Sequence, residues 1–450
     1  MEYSVIEKLK ESVFRVIDEN RDKIIDIAIQ IEENPEIGYK EYKTSKLVYD
    51  YLSSLNLHNI ESIKPTGVIG RLKPVLSTDE NFPNIALMGE LDALYCRESP
   101  LADHLTGVAH ACGHNLQVGI MLAVAAGLKI SGIENELYGN VVFMGVPAEE
   151  YIDIAYKRKL MENNEISFVG GKQEFIKRGY FDDISMSIAT HVEANKKDYA
   201  IFAADECHGF IPKTVRYIGK AAHASADPHN GINALNAAVI GLNAVNALRE
   251  TFKEEDIVRV HSIITKGGES VNVIPADVRL EQCVRARTMS VLRDVSKKVD
   301  NALIAGGDAA GADTIIENMP GFLPLRSSRP LSEMFLENAK QIRSDMEMGH
   351  ISFIASGDIG DVSHIMPTAQ ITCGGIEGVP HSKEFKTVNY DAAVILPAKV
   401  ISSTIIDLLV NKADKAKKNI DTFEPLLPKK EYLDFMGSMF KTIKTKRVES

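Results

Sequence analysis

The chain has no run of 18 or more consecutive apolar residues, so it offers no continuous stretch of membrane-spanning length. Residues Met1 to Asn20 mix charges with apolar positions at helical spacing and lack the unbroken apolar centre of a secretion signal. A cytoplasmic protein is therefore expected. Cysteine is scarce. The five present (Cys96, Cys112, Cys207, Cys283 and Cys373) are odd in number and scattered, which argues against a disulfide framework. Basic residues are in deficit, 51 against 62 acidic ones, for a net charge of -11. That balance disfavours nucleic acid and anionic membranes as partners, although a local pocket can still be positive and take an anionic small substrate. Internal repeats and low-complexity tracts are missing too. What remains is a globular composition, 45% hydrophobic and 25% charged over 450 residues, too long for one ordinary core. Two domains are the natural expectation.

The most informative stretch is His110-Ala111-Cys112-Gly113-His114-Asn115, ahead of an apolar helix predicted over Leu116 to Leu128. Imidazole and thiolate are the side chains that a zinc-type ion prefers. Cys112 and His114 are two apart, so on an extended backbone they point the same way. Alone, such a pair is as easily a buried cysteine beside structural histidines. Further ligand types recur at the ends of predicted strands. The strand Asn84 to Met88 runs into Glu90 and Asp92, which in isolation read as a solvated loop. Gly139 to Val146 ends in Pro147-Ala148-Glu149-Glu150, and two adjacent carboxylates after an apolar strand are costly to bury without a cation. They face opposite ways, so one can hold metal and the other move a proton. Ile184 to Thr190 ends in His191, and a glycine-rich loop carries His381. Strand carboxyl ends are where open α/β sheets place their sites. The residues therefore suggest a two-metal hydrolase.

From about residue 210 the pattern becomes β-α-β-β-α-β, the order of a ferredoxin-like sandwich. The expected organisation is a catalytic domain over 1–210 and 323–411, an inserted domain over 211–322, and a basic, solvated tail over 412–450. The fold class is α/β, a phosphorylase/hydrolase-like mixed sheet with helices on both faces plus the inserted α+β domain. Residues 4–31 read as helix, and Tyr151 to Phe168 reads as a polar surface excursion.

From Asn34-Pro35-Glu36 to His381 the chain resembles the metal-dependent aminoacylase/carboxypeptidase family, in its amidohydrolase branch. That branch includes hippurate hydrolase, N-acetyl-diaminopimelate deacetylase, auxin-conjugate hydrolases and aminobenzoyl-glutamate hydrolase. The resemblance implies two divalent metals, zinc or manganese, with cobalt or nickel as options. It assigns Cys112, His114, Glu150, His191 and His381 as ligands and Glu149 as the base that serves a metal-activated water. Asp92 would orient a ligand from behind. The inserted domain would be a lid that also forms a homodimer. It carries His223, to hold the developing oxyanion, and Asn272, to contact the substrate's carboxylate end. The implied reaction is hydrolysis of an amide in an N-acyl amino acid or related small molecule.

Departures from the family pattern touch the substrate more than the reaction. Asn115 stands where most members have aspartate, and Gln117 where many have histidine. Cys-Gly-His-Asn resembles the aminobenzoyl-glutamate and β-alanyl-dipeptide hydrolase subset. The segment Tyr151 to Phe168 looks inserted. His261 and His364 read as structural. A dipeptidase or carboxypeptidase using the same residues is the alternative enzyme. An inactive metal-binding relative would lack a base or a ligand, and none is missing.

Overall fold

Four of the predicted strands lie side by side at the centre of an eight-stranded sheet. Across it the order is His58–Ile63, Gly67–Arg71, Asn140–Val146, Asn84–Glu90, Met186–Val192, Thr368–Cys373, Ala200–Cys207, Glu347–Phe353. The four central members run parallel, and antiparallel neighbours flank them on each side. Strands covered on both faces favour apolar residues, which is why Asn140–Val146 reads as a nearly continuous run, whereas Met186–Val192 alternates and buries its Ser187 and Thr190. Asn140–Val146 and Thr368–Cys373 are buried at every position. The structure, a computed structural model, describes residues 1, 3–75, 82–194 and 198–448.

The helix His114–Ile130 is buried at every residue from His114 through Leu128 and packs on the strand Asn84–Glu90. A helix apolar on all sides belongs in a core. Helices Tyr3–Glu19, Arg21–Glu32 and Leu396–Leu409 pack against it. The sequence suggested one helix over 4–31; instead it breaks at Asn20, whose backbone leaves the helical region. The helical stretch Asp391–Leu409 is long and apolar enough to cross a membrane by composition, yet 89% of it is buried inside the protein.

The chain divides into two units. The first comprises Met1–Glu206, Arg326–Ser352 and Asp361–Pro428; the second comprises Cys207–Leu325, Phe353–Gly360 and Lys429–Ser450. The second unit holds a five-stranded sheet in the order Arg259–Lys266, Asp277–Ala286, Gly209–Ile218, Asp313–Asn318, Lys441–Thr445. Its first four members with helices Ala234–Ala247 and Met289–Ala310 are the expected β-α-β-β-α-β sandwich.

The fifth strand corrects the expectation of a solvated tail. Lys441–Thr445 pairs antiparallel with Asp313–Asn318, and Tyr432 and Met436 of the helix Lys429–Met439 are buried. Residues 412–428 belong to the first unit, where Asp414–Asp421 is helical. The basic balance concealed this order, because its lysines sit on exposed faces while a few apolar positions carry the packing.

Candidate active site

Parallel strands end on one edge of their sheet, and in the first unit that edge collects the ligand-type residues. Glu90 closes one central strand; Glu149 and Glu150 follow the next; His191 lies near the end of a third; His381 follows the fourth. Cys112 and His114 enter from the start of the buried helix. Gly113 between them has φ +81°, and a Cβ there would stand 2.7 Å from Val192 Cγ2. Glycine alone fits both demands. Gly113→Ala is therefore expected to destabilise the protein by about 1–2 kcal/mol or more and to lower metal affinity. A thermal melt and a metal titration check both, and a variant with an unchanged melt would show that the loop relaxes freely.

Cys112 is the hub. Its Sγ lies 3.5 Å from His191 Nε2 and 3.3 Å from His381 Nε2. His381 Nε2 is in turn 3.2 Å from Glu150 Oε1. Two donor groups result, Cys112–His114–His191 and Cys112–Glu150–His381, each with its ligand atoms within 4.8 Å of one another. A third group, Glu90–His114–Glu149, meets the same limit and shares His114.

The histidines are oriented from behind. His114 Nδ1 donates to the Asp92 carbonyl at 2.8 Å and lies 3.3 Å from Asp92 Oδ1. His191 Nδ1 donates to the Val192 carbonyl at 3.0 Å. Each is left with Nε2 facing the cluster, the arrangement that fixes tautomer and ring for metal binding. His381 sits at φ +67°, and its N–H donates to the Ala111 carbonyl at 2.7 Å, beside Cys112.

Charge follows from this crowding. Burial opposes ionisation of Cys112, but His191 and His114 overcome it and hold the thiol well below its ordinary range. The close approach of Cys112 and Glu150 pushes His381 up to about 11. Burial raises Glu150, and the neighbouring Cys112 adds to that. His110 is different: burial and then His114 push it down to about 3, so it stays neutral, and neither ring nitrogen has a hydrogen-bond partner.

The donor set fits divalent metals. Glu150 Oε1 and His114 Nε2 are buried and make no hydrogen bond. Yet they stand 3.2 Å from His381 Nε2 and 3.1 Å from Glu90 Oε2. Short approaches without hydrogen-bond alignment are what donors aimed at a common cation produce. Thiolate, imidazole and carboxylate together suit zinc-like ions.

Other predicted residues fall elsewhere. His223 and Asn272 lie in the second unit. There they are brought together, with Ala224 N–H donating to the Asn272 carbonyl at 3.0 Å and a bridge linking His223 to Val273. His223 Nδ1 accepts the Ala226 N–H at 3.0 Å, so the ring proton sits on Nε2 as an exposed donor. Asn115 lies in the interior of the first unit. It is fully buried, and its Nδ2 donates to Ala28 on the helix Arg21–Glu32.

Sequence reasoning passed over Glu90, which is no solvated loop residue. It is buried and accepts from Lys172 Nζ at 2.5 Å and Gln117 Nε2 at 2.7 Å. The uninterrupted apolar run into Glu90 was a signal of its burial. Asp92 is fully buried as well. The excursion over 151–168 also turns inward: its helix Ile154–Glu162 buries Lys157 and Leu160.

The sequence profile of the peptidase family M20/M25/M40 matches residues 86–407, well over half of the chain. The chain belongs to that family. It is a metal-dependent hydrolase, and the match spans all of its donor residues. The Xaa-Arg dipeptidase of Mus musculus is 28% identical over 69% of this chain and 69% of its own. The N-acyl-L-amino acid amidohydrolase of Geobacillus stearothermophilus is 26% identical over 70% of this chain and 81% of its own. Among solved structures, a dinuclear metal binding peptidase of the M20 family from Bacillus subtilis superposes with a TM-score of 0.65 at 19% identity. That match covers 86% of this chain and 98% of the other. These likenesses to solved structures bear on the fold.

Proposed function

We propose that this M20-family protein hydrolyses the amide bond of an N-acyl amino acid or a related small amide, using two divalent metals, zinc or manganese. The observation that carries the reading is Cys112 shared between two donor groups, with Glu149 beside His114 of the first group. When bound, the metals supply a water of lowered pKa and polarise the amide carbonyl. Cys112, His114 and His191 would hold one ion, and Cys112, Glu150 and His381 the other. Asp92 keeps His114 turned with Nε2 inward. Glu149, partly exposed and 3.9 Å from His114 Nε2, takes the water's proton on its carboxylate and delivers it to the leaving amine. His223 Nε2–H donates to the oxyanion as it forms. Asn272, beside it in the second unit, contacts the carboxylate end of the substrate.

His223→Ala is expected to lower kcat about 10²–10³-fold, the scale of one oxyanion donor, with metal content unchanged. Steady-state kinetics and metal analysis on one preparation decide it; undiminished turnover would remove the role. A dipeptidase reading shares every residue and draws on the likeness to the Xaa-Arg dipeptidase. A panel of N-acyl amino acids against dipeptides, with and without chelator, separates the two readings. Failure to cleave either class after loading with two metals would sink both.

The protein acts as a homodimer through the second unit in this proposal. Among the described residues, the edge strand Arg259–Lys266 of its sheet is paired on one side only, with Ile263 and Ile264 exposed. Light scattering measures that directly. A reducing, cytoplasmic setting agrees with five cysteines that form no disulfide.

A further inference from the structure

The turn that carries Glu149 and Glu150 is strained and pinned. Ala148 has φ +56°, in the left-handed region that residues with a Cβ rarely adopt. Such a conformation persists only where the surroundings hold it. Here three contacts do so. Ala148 N–H donates to Glu41 Oε1 at 2.8 Å. Glu150 N–H donates to Asp92 Oδ2 at 2.8 Å. The Glu150 carbonyl accepts from Lys157 Nζ at 2.6 Å.

Glu41, Asp92 and Lys157 are all fully buried. A buried ammonium is costly unless carboxylates compensate it. Those acting on Lys157 are Asp92 and Glu41 first, then Glu150 and Glu149. The fit around the ammonium is close, since a Cβ on Gly38 would stand 3.2 Å from Nζ. Lys157 lies on the helix Ile154–Glu162, within the segment that looks inserted in the sequence. That segment is tied down on both sides of the helix. Lys40 pairs with Asp153 at 3.0 Å, Tyr156 donates to the Tyr39 carbonyl at 3.3 Å, and Tyr39 donates to the Phe168 carbonyl at 3.1 Å.

A mere surface excursion has no reason to bury a lysine beneath a catalytic turn. We infer that the helix Ile154–Glu162 belongs to the hydrolytic machinery. Lys157 is its positioning residue: it fixes the Glu149–Glu150 turn through the Glu150 carbonyl and balances Glu41 and Asp92 beneath it. The inference rests on the reading of Glu149 as base and Glu150 as ligand. Removing the ammonium frees the Glu150 carbonyl and leaves two buried carboxylates without their cation, so Glu150 loses its aim at the metal and Glu149 its aim at the water.

The test titrates metal-free, full-length protein with cobalt(II) alone and then assays the loaded enzyme on the best substrate of the panel. Lys157→Met is expected to weaken one of two cobalt equivalents about 10–100-fold and to lower kcat by a similar factor, the scale for outer partners of a metal site, with KM little changed. Lys157→Arg keeps the charge and the donors and is expected to restore much of the cobalt affinity. Lys159→Met, on the exposed side of the same helix, is expected to match wild type in both readouts. Lys157→Met with wild-type cobalt affinity and kcat overturns the inference. Should Lys157→Met fail to fold, Lys157→Met/Glu41→Gln removes the ammonium together with one of the two carboxyl groups beneath it and takes its place. Weakened cobalt binding in that double variant supports the inference, and wild-type binding and turnover overturn it. Glu150→Gln runs alongside. If it keeps both cobalt equivalents, the ligand reading fails and this inference with it. If it loses one while Lys157→Met keeps both, the Lys157 inference fails alone.

Discussion

Glu149→Gln retains both metals and loses turnover by about 10²–10⁴-fold, the range that a positioned general base contributes. The two glutamates are adjacent, so their side chains leave the backbone in different directions. Glu150 Oε1 is directed at His381 Nε2, 3.2 Å away, in a group that contains Cys112. Glu149 instead groups with Glu90 and His114, and its Oε2 stands 3.9 Å from His114 Nε2. It is therefore beside the position that Cys112, His114 and His191 form, without being a member of either group around Cys112. Glutamine keeps the size and one oxygen but cannot take a proton. Metal analysis by mass spectrometry and steady-state kinetics on one preparation give the answer. A Glu149→Gln protein holding a single metal would exchange the roles of the two glutamates.

Cys112→Ser costs more, because one side chain serves both positions. Serine is nearly isosteric, but its hydroxyl does not ionise in this setting, whereas His191 and His114 hold the Cys112 thiol well below its ordinary range against the opposing effect of burial. Both donor groups shrink to two members apiece when the thiolate goes. Both metals are expected to weaken, and turnover at stoichiometric metal to fall beyond the roughly 10–100-fold of an outer partner. Cobalt(II) again reports directly: wild type should show sulfur-to-cobalt charge-transfer absorption, and Cys112→Ser should not. Two tight cobalt equivalents in the serine variant would place Cys112 outside the centre.

The two results together divide the site into parts that hold metal and parts that move protons. They also bear on stability. Buried charge without a cation is expensive, so wild-type protein stripped by chelator is expected to melt at a lower temperature than the loaded form. A calorimetric comparison checks this, and equal midpoints would mean that the ions bind folded and unfolded chain alike.

What the sequence settled by itself was mostly what one short segment can carry. Asn84–Glu90 and Asn140–Val146 could be read as strands because they are apolar along most of their length, Met186–Val192 because its residues alternate, and Thr368–Cys373 because glycine-rich turns bound it. Ligand types at their ends pointed to Cys112, His114, Glu149, Glu150, His191 and His381, since thiol, imidazole and carboxylate have distinct chemistry wherever they stand. The ferredoxin-like order of the second unit was legible for the same local reason. Tertiary structure decided the rest. Whether Glu90 is solvated or buried depends on Lys172 and Gln117, distant in the chain and bonded to it in space. Asn115 turned out to serve Ala28 because the helix Arg21–Glu32 lies against it. The strand Lys441–Thr445 depended on an open edge at Asp313–Asn318, far upstream. Lys157 looked like one more lysine of a polar segment. Only packing against Tyr39 and the Ala148 turn shows it to be buried, because burial is a property of what surrounds a residue and not of its neighbours in the chain.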